Sequence, residues 1–224
     1  WEGGQLLAPK DGGWIPQGPS AIPQLPTEPA PQEIDAAGLK RIREAFVQAT
    51  KRSIRIGFEG IELHNAHGYL LHQFLSPIAN QRTDAYGGSL ANRMRFPLEV
   101  FEAVRAVTPA NVSLGIRISA TDWAEGGWTP EESVEYGNAL KALGCDFIDV
   151  SSGGVAHQQK IPLGPKYQVP LATQIKKGTG LPTMAVGLIT EAKEAEEIIA
   201  SGEADMVALA RGMLYDARWP WHAA

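Results

Sequence analysis

A single cysteine, Cys145, excludes an internal disulfide and any metal or iron–sulfur site built from several cysteines of this chain. A reducing, cytoplasmic setting is the expectation that follows. No apolar run reaches the ~18 to 20 residues of a membrane span, so no membrane partner is expected. Basic residues are too few and too scattered for a polyanion surface: 20 Lys and Arg stand against 25 Asp and Glu, a net charge of -5. That balance argues against nucleic acid and against anionic lipid. Also missing is a G-x-G-x-x-G opening a helix with an acid ~20 residues on, the strongest sequence support for a dinucleotide-binding open sheet.

What is present is ample apolar material. With 224 residues, 44% of them hydrophobic, the chain can bury a large core, and one main domain is expected. Residues 1–34 stand apart. The stretch "WEGGQLLAPKDGGWIPQGPSAIPQLPTEPAP" holds seven of the sixteen prolines. Trp1, Leu6, Leu7, Trp14, Ile15 and Ile22 are too apolar for a flexible linker, so a long irregular loop lying on the folded body is expected.

Residues 35–224 have a rhythm. "DAAGLKRIREAFVQATKRSIRIG" reads as an amphipathic helix with Leu39, Ile42, Phe46 and Ala49 on one face and Gly57 as its stop, followed by the short run "FEGIELH". Four similar units follow, in which a helical pattern leads to "VSLGIRIS", "CDFIDVSS", "LPTMAVG" and "ADMVALAR". Thr129, Pro130 and Glu132 supply a cap, a first-turn proline and a capping-box acid to the third helix, and Gly144 ends it. Five apolar strands alternating with helices mean a parallel sheet covered by helices. Both an open doubly wound sheet and a (β/α)8 barrel satisfy that pattern. Polar and glycine residues gather at the strands' carboxyl ends ("LH", "RIS", "SSGG", "VG", "AR"), where barrel sites are built, and this favours the barrel. A closed barrel needs eight strands, so these five are expected to be strands 4 to 8.

The segment "IELHNAHGYLLHQF" places His64, His67 and Tyr69 just past the first of these strands. If the chain turns helically there, the two imidazoles converge. The i, i+3 spacing without a third ligand reads against a metal. Two imidazoles aimed at one oxygen stabilise negative charge developing on a carbonyl or nitro group, and a phenol beside them can give its proton to a carbanion. No side chain donates hydride, so a cofactor must. Gly187 in "AVGLIT" and Arg211 in "ALARG" fall where barrels commonly hold a phosphate. Arg117 lies inside the apolar "LGIRIS", where a guanidinium needs an anionic or acceptor partner, whether a ligand or a structural ion pair.

The stretch "GFEGIELHNAHGYLLHQFLSPIANQRTDAYGGSLANRMRFPLEV", together with "RISATDWAEGGWT", "DVSSGG", "GPKYQVP" and "MAVGLIT", resembles the Old Yellow Enzyme family of flavin-dependent ene-reductases, in its bacterial, xenobiotic reductase-like subgroup. The resemblance covers most of the chain. It implies a (β/α)8 TIM barrel with FMN at its carboxyl face and NADPH or NADH as co-substrate. By the same resemblance His64 and His67 bind the activating oxygen of an unsaturated substrate, and Tyr69 is the proton donor. Arg117 lies beside the flavin's pyrimidine edge, and Ala210 with Arg211 hold the phosphate, Ala210 standing where the family often has glycine. The implied reaction is ping-pong: NAD(P)H reduces the flavin, hydride passes to the β-carbon of an activated alkene, and Tyr69 protonates the α-carbon. A homo-oligomer is implied for the full-length protein.

Within "RTDAYGGSLANR", Asp84, Asn92 and Arg93 are expected to pin a loop and begin a helix. His72 and Cys145 read as packing residues. Trp123 and Trp128 read either as pocket mouth or as barrel rim, and Asn65 as a possible change of polarity near the substrate. Against the family the chain is expected to lack the first three barrel strands and a carboxyl-terminal segment, and to hold FMN weakly by itself. Three rival readings stand beside this one: a 2,4-dienoyl-CoA reductase-like flavoenzyme, a flavin-free phosphate-binding barrel lyase or isomerase, and a non-catalytic flavin-binding or structural remnant.

Overall fold

The computed structural model describes residues 6–224. Two short strands, β1 (Gln17–Gly18) and β2 (Gln32–Glu33), pair in parallel ahead of helix α1 (Ala36–Arg55). Then come β3 (Gly60–Asn65), α2 (Leu70–Leu75), α3 (Leu90–Arg105), β4 (Ser113–Ser119), α4 (Pro130–Ala142) and β5 (Phe147–Ser151). The chain continues through α5 (Val169–Thr179), β6 (Thr183–Ala185), α6 (Ala192–Ala200), β7 (Met206–Val207), α7 (Arg211–Tyr215) and α8 (Trp219–Ala223). Strands β3 to β7 form one all-parallel sheet in chain order. A doubly wound sheet reverses its order at a switch point, whereas a barrel wall does not. The fold is α/β, and this sheet is part of a (β/α) barrel.

Register divides the side chains into two faces. Leu63, Ile116 and Ile148 share one row, and Asn65, Ile118, Val150 and Ala185 share another; both rows turn outward and are buried under the helices. Burial of each large aliphatic side chain there stabilises the sheet-helix contact by about 1.5–3 kcal/mol. Alternate positions face the opposite side. His64, Arg117, Asp149, Met184 and Met206 lie in one continuous row across all five strands.

The local signals act as their chemistry requires. Asp35 caps α1, its carboxylate accepting from the Gly38 N–H at 2.7 Å. Thr129 and Glu132 form the reciprocal capping box of α4. The face of α1 drifts from the expected one: Ala49 is exposed, while Leu39, Val47 and Thr50 are buried. A straight helix advances 3.6 residues per turn, so over 20 residues the buried stripe rotates past position 49.

The amino-terminal loop is held differently from expectation. Leu6, Leu7, Trp14 and Ile15 are exposed, and Ile22 is half-buried; Trp1 lies outside the described residues. Buried Arg82 does the holding, donating through Nη1 to the carbonyls of Pro19 and Ile34, both at 2.9 Å. The Asp84 carboxylate fixes that guanidinium from its other side. Asn92 donates to the Gly87 carbonyl and Arg93 to that of Gly88, so the "RTDAYGGSLANR" loop is pinned as its residue types suggest. Among the described residues no helix is long and apolar enough to cross a membrane.

Candidate active site

His64 is the penultimate residue of β3 and faces the inner row. The strand ends at Asn65, and the chain does not continue as a helix. His67 instead takes a left-handed conformation (φ 58°) followed by Gly68 (φ 75°), and Tyr69 caps α2. This turn, rather than a shared helix face, brings the rings together. The His64 ring centroid lies 5.3 Å from those of both His67 and Tyr69. The Tyr69 side of the cluster is open, the residue being 65% exposed.

The turn is locked from beneath. A Cβ at Gly68 would sit 2.2 Å from the Gly154 carbonyl oxygen, so only glycine admits this approach. The Gly68 N–H donates to His72 Nδ1 at 2.9 Å, and since that nitrogen accepts, the ring's proton lies on Nε2, 2.9 Å from Asp122 Oδ1. Asp122 also accepts from the Ser76 hydroxyl (2.6 Å) and from the Trp128 N–H (2.7 Å). His72 and Asp122 are fully buried. The expectation that His72 merely packs is corrected: its hydrogen bonds orient the histidine turn. Cys145 is buried against the helices as expected, burial pushing its thiol up to about 12.

His67 is further fixed by its N–H, which donates to Ser119 Oγ at 2.9 Å, and by its Nε2, 2.7 Å from Ser151 Oγ. Burial first, and then the Arg117 guanidinium, push His67 down to about 4. The same causes lower His64. Both rings are therefore neutral at pH 7, each with one N–H to give.

Arg117, next to His64 in register, pairs with Asp149 at 3.3 Å, so part of its charge is met by a structural partner. The contact is not aligned as a hydrogen bond: Arg117 Nε and Asp149 Oδ1 are buried with none. Burial raises Asp149, and burial together with Asp149 raises Glu62 to about 7.

Beyond β5 a cleft of about 440 Å³ opens among Ser151, Gln168, Gly187, Leu209, Ala210 and Arg211. It joins the three expected phosphate-site residues from the loops after β6 and β7. Gly187 has φ 124°, and a Cβ there would come within 2.9 Å of Gln168 Nε2 and 3.1 Å of Tyr167 Cε1, so only glycine admits this turn beside the cleft. Arg211 is exposed at the cleft's edge, where α7 begins. An approachable glycine loop beside an arginine suits a phosphate, and an unpartnered guanidinium N–H one strand beyond Ser151 suits a heterocycle's acceptor edge. The residues present thus fit FMN.

Asn65 and Trp128 are corrected. Asn65 is buried on the outer face, donating to the Tyr136 hydroxyl at 2.8 Å, so it cannot alter polarity near His64. Trp128 is buried edge-on to Tyr136, forming neither mouth nor rim. Trp123 is half-buried in a left-handed conformation (φ 53°) near Gly153. Sequence reasoning missed Ser119, Asp122, Asp149, Ser151 and Gln168. A signal existed for Ser119 and Ser151, which end strands on the same face as Arg117.

A family model described as NADH:flavin oxidoreductase / NADH oxidase matches residues 8–224. The NADPH dehydrogenase of Geobacillus thermodenitrificans (strain NG80-2) is 45% identical over 206 residues, covering 92% of this chain and 60% of the relative. The chain thus spans about 60% of the length of such curated relatives. Among solved structures, a 2-naphthoyl-CoA reductase complexed with 2-naphthoyl-CoA is 28% identical with a TM-score of 0.86, over 93% of this chain and 33% of that one. Morphinone reductase in complex with tetrahydroNAD is 26% identical with a TM-score of 0.75, over 95% and 61%. With a family model matched over nearly the whole chain and a parallel sheet in barrel order, the chain belongs to the NADH:flavin oxidoreductase / NADH oxidase family.

Proposed function

We propose that this chain carries the FMN-binding and acceptor-activating part of an NAD(P)H-dependent ene-reductase acting on α,β-unsaturated carbonyl or nitro compounds. The observation that carries the reading is the convergence of His67 and Tyr69 on His64, each ring centroid 5.3 Å from that of His64, which is next to Arg117 in strand register. Gly187, Ala210 and Arg211 would hold the phosphate of FMN, and Arg117 would serve the acceptor edge of its ring. When bound, FMN supplies the hydride, taken from NADPH or NADH; the tetrahydroNAD held by morphinone reductase supports a nicotinamide co-substrate.

The chain's own groups do the rest. His64 and His67, both lowered by partial desolvation and by Arg117, each offer an N–H to the acceptor's carbonyl or nitro oxygen and polarise the conjugated double bond. Asp149 keeps the Arg117 guanidinium on the inner face. Tyr69, on the open side of the cluster, gives its proton to the substrate's α-carbon. Of the expected segment 1–34, residues 6–34 act as a loop laid on the barrel domain 35–224, residues 1–5 lying outside the described residues. The reading includes a cytoplasmic location and a homo-oligomer for the full-length protein.

The test separates the two half-reactions of the chain supplied with excess FMN. Tyr69→Phe is expected to slow flavin reoxidation by cyclohexenone by about 10²- to 10⁴-fold, the usual worth of a positioned acid. Flavin reduction by NADPH is expected to change little. Equal losses in both steps would remove Tyr69 from the role, and failure to bind FMN at all would overturn the reading.

A further inference from the structure

His67 has one proton at neutral pH, and which nitrogen carries it decides whether the ring can serve as proposed. Nε2 lies 2.7 Å from Ser151 Oγ. Nδ1 makes no hydrogen bond among the described residues. With the proton on Nε2, Nδ1 turns a bare lone pair toward incoming oxygen and can only repel it. With the proton on Nδ1, it is a donor.

The surrounding hydrogen bonds have a fixed direction. Gln168 is 3% exposed, and its Nε2 lies 3.0 Å from the Val186 carbonyl, which can only accept. Its Oε1 therefore points back toward β5, where it meets two hydroxyls. Ser152 Oγ is 2.5 Å away and Ser151 Oγ 3.3 Å away. Ser152 thus satisfies Oε1 at close range, and the single hydrogen of Ser151 has a nearer acceptor in the imidazole. The backbone beneath the ring is held as well, because the His67 backbone N–H donates to Ser119 Oγ, whose own hydrogen goes to the Gly153 carbonyl at 2.8 Å.

We propose that Ser151 is a positioning residue that donates its hydroxyl hydrogen to His67 Nε2 and so holds the ring's proton on Nδ1, the nitrogen left to bind an acceptor's oxygen. The catalytic half of that statement rests on the ene-reductase reading; the tautomer itself does not. Five residues away, His72 provides the opposite case. Its Nδ1 accepts from Gly68, so its proton is on Nε2. The two rings of one short segment carry their protons on different nitrogens.

Long-range ¹H–¹⁵N correlation spectra of the whole chain labelled at histidine, taken at neutral pH, read the tautomer of each ring without any flavin. His67→Gln identifies the His67 signals. The expected result is an Nδ1–H pattern for His67 beside an Nε2–H pattern for His72. In Ser151→Ala the His67 pattern is expected to move toward Nε2–H, and in Ser151→Thr, which keeps a hydroxyl, to stay. An Nε2–H pattern in the wild type, or no change in Ser151→Ala, overturns the assignment. With FMN bound, Ser151→Ala is expected to slow reoxidation by cyclohexenone about a hundredfold, as removal of one oxyanion donor does, and Ser151→Thr, which keeps the hydroxyl, to retain most of the rate. If the tautomer shifts and reoxidation does not slow, the Ser151 assignment stands and the acceptor reading falls.

Discussion

Replacing Asp122 by Asn tests the buried support of the histidine turn at the cost of one atom's identity. Every partner of the Asp122 carboxylate donates: His72 Nε2 to one oxygen, the Ser76 hydroxyl and the Trp128 N–H to the other. An amide must turn its NH2 toward one of these sites. Placed against His72, it faces an N–H that cannot move to Nδ1 without stranding the Gly68 N–H. Placed on the other side, it faces the Trp128 backbone N–H, which cannot rotate away. Either way one charge-assisted hydrogen bond is lost and one buried donor is left without an acceptor, so about 3–5 kcal/mol of stability should go. Urea unfolding followed by tryptophan fluorescence measures it. Ser89→Ala, which removes the cap of α3, is the comparison, with an expected loss of about 1 kcal/mol. If Asp122→Asn costs no more than Ser89→Ala, the carboxylate is not the keystone described and the orientation of His72 must come from packing alone.

Three further outcomes are expected. Gly68→Ala should destabilise by about 2–5 kcal/mol in the same assay, from its left-handed conformation and the collision with the Gly154 carbonyl; a loss under 1 kcal/mol would mean that the turn can relax. Glu62, raised from 4.5 to about 7, binds more protons folded than unfolded, so its contribution weakens the fold as pH rises through that window. Glu62→Gln should then gain on the wild type between those pH values and hold its gain above them, and a pH-independent difference in urea midpoints would refute the burial argument. Gly187→Val should weaken FMN binding by about tenfold or more, as read by quenching of flavin fluorescence on titration, because a side chain there collides with Gln168 and Tyr167, which line the cleft; unchanged affinity would remove Gly187 from the site.

Much of the architecture was legible because apolar periodicity and capping chemistry are local. The Thr129 box and the Asp35 helix start needed no tertiary information, and the five helix-to-strand units lie where their patterns put them. The misreadings share a cause: the deciding partner is remote in sequence. The amino-terminal loop is held by Arg82 through backbone carbonyls, which leave no mark on side-chain composition, so Trp14 could stay exposed. His72 looked like filling because its partner Asp122 lies 50 residues on. Asn65 is the exception, since strict alternation already places it opposite His64. At the candidate site, residue types pointed to the imidazoles and phenol, but not to the serines and glutamine that set their hydrogens.

Gln168 has a consequence wider than one tautomer. Its amide spans from the serines at the end of β5 to the Val186 carbonyl, immediately before Gly187. Its near end borders the glycine loop, and its far end rests one hydroxyl from the imidazole. The cleft and the histidine cluster thus share one wall, a single amide in contact with both.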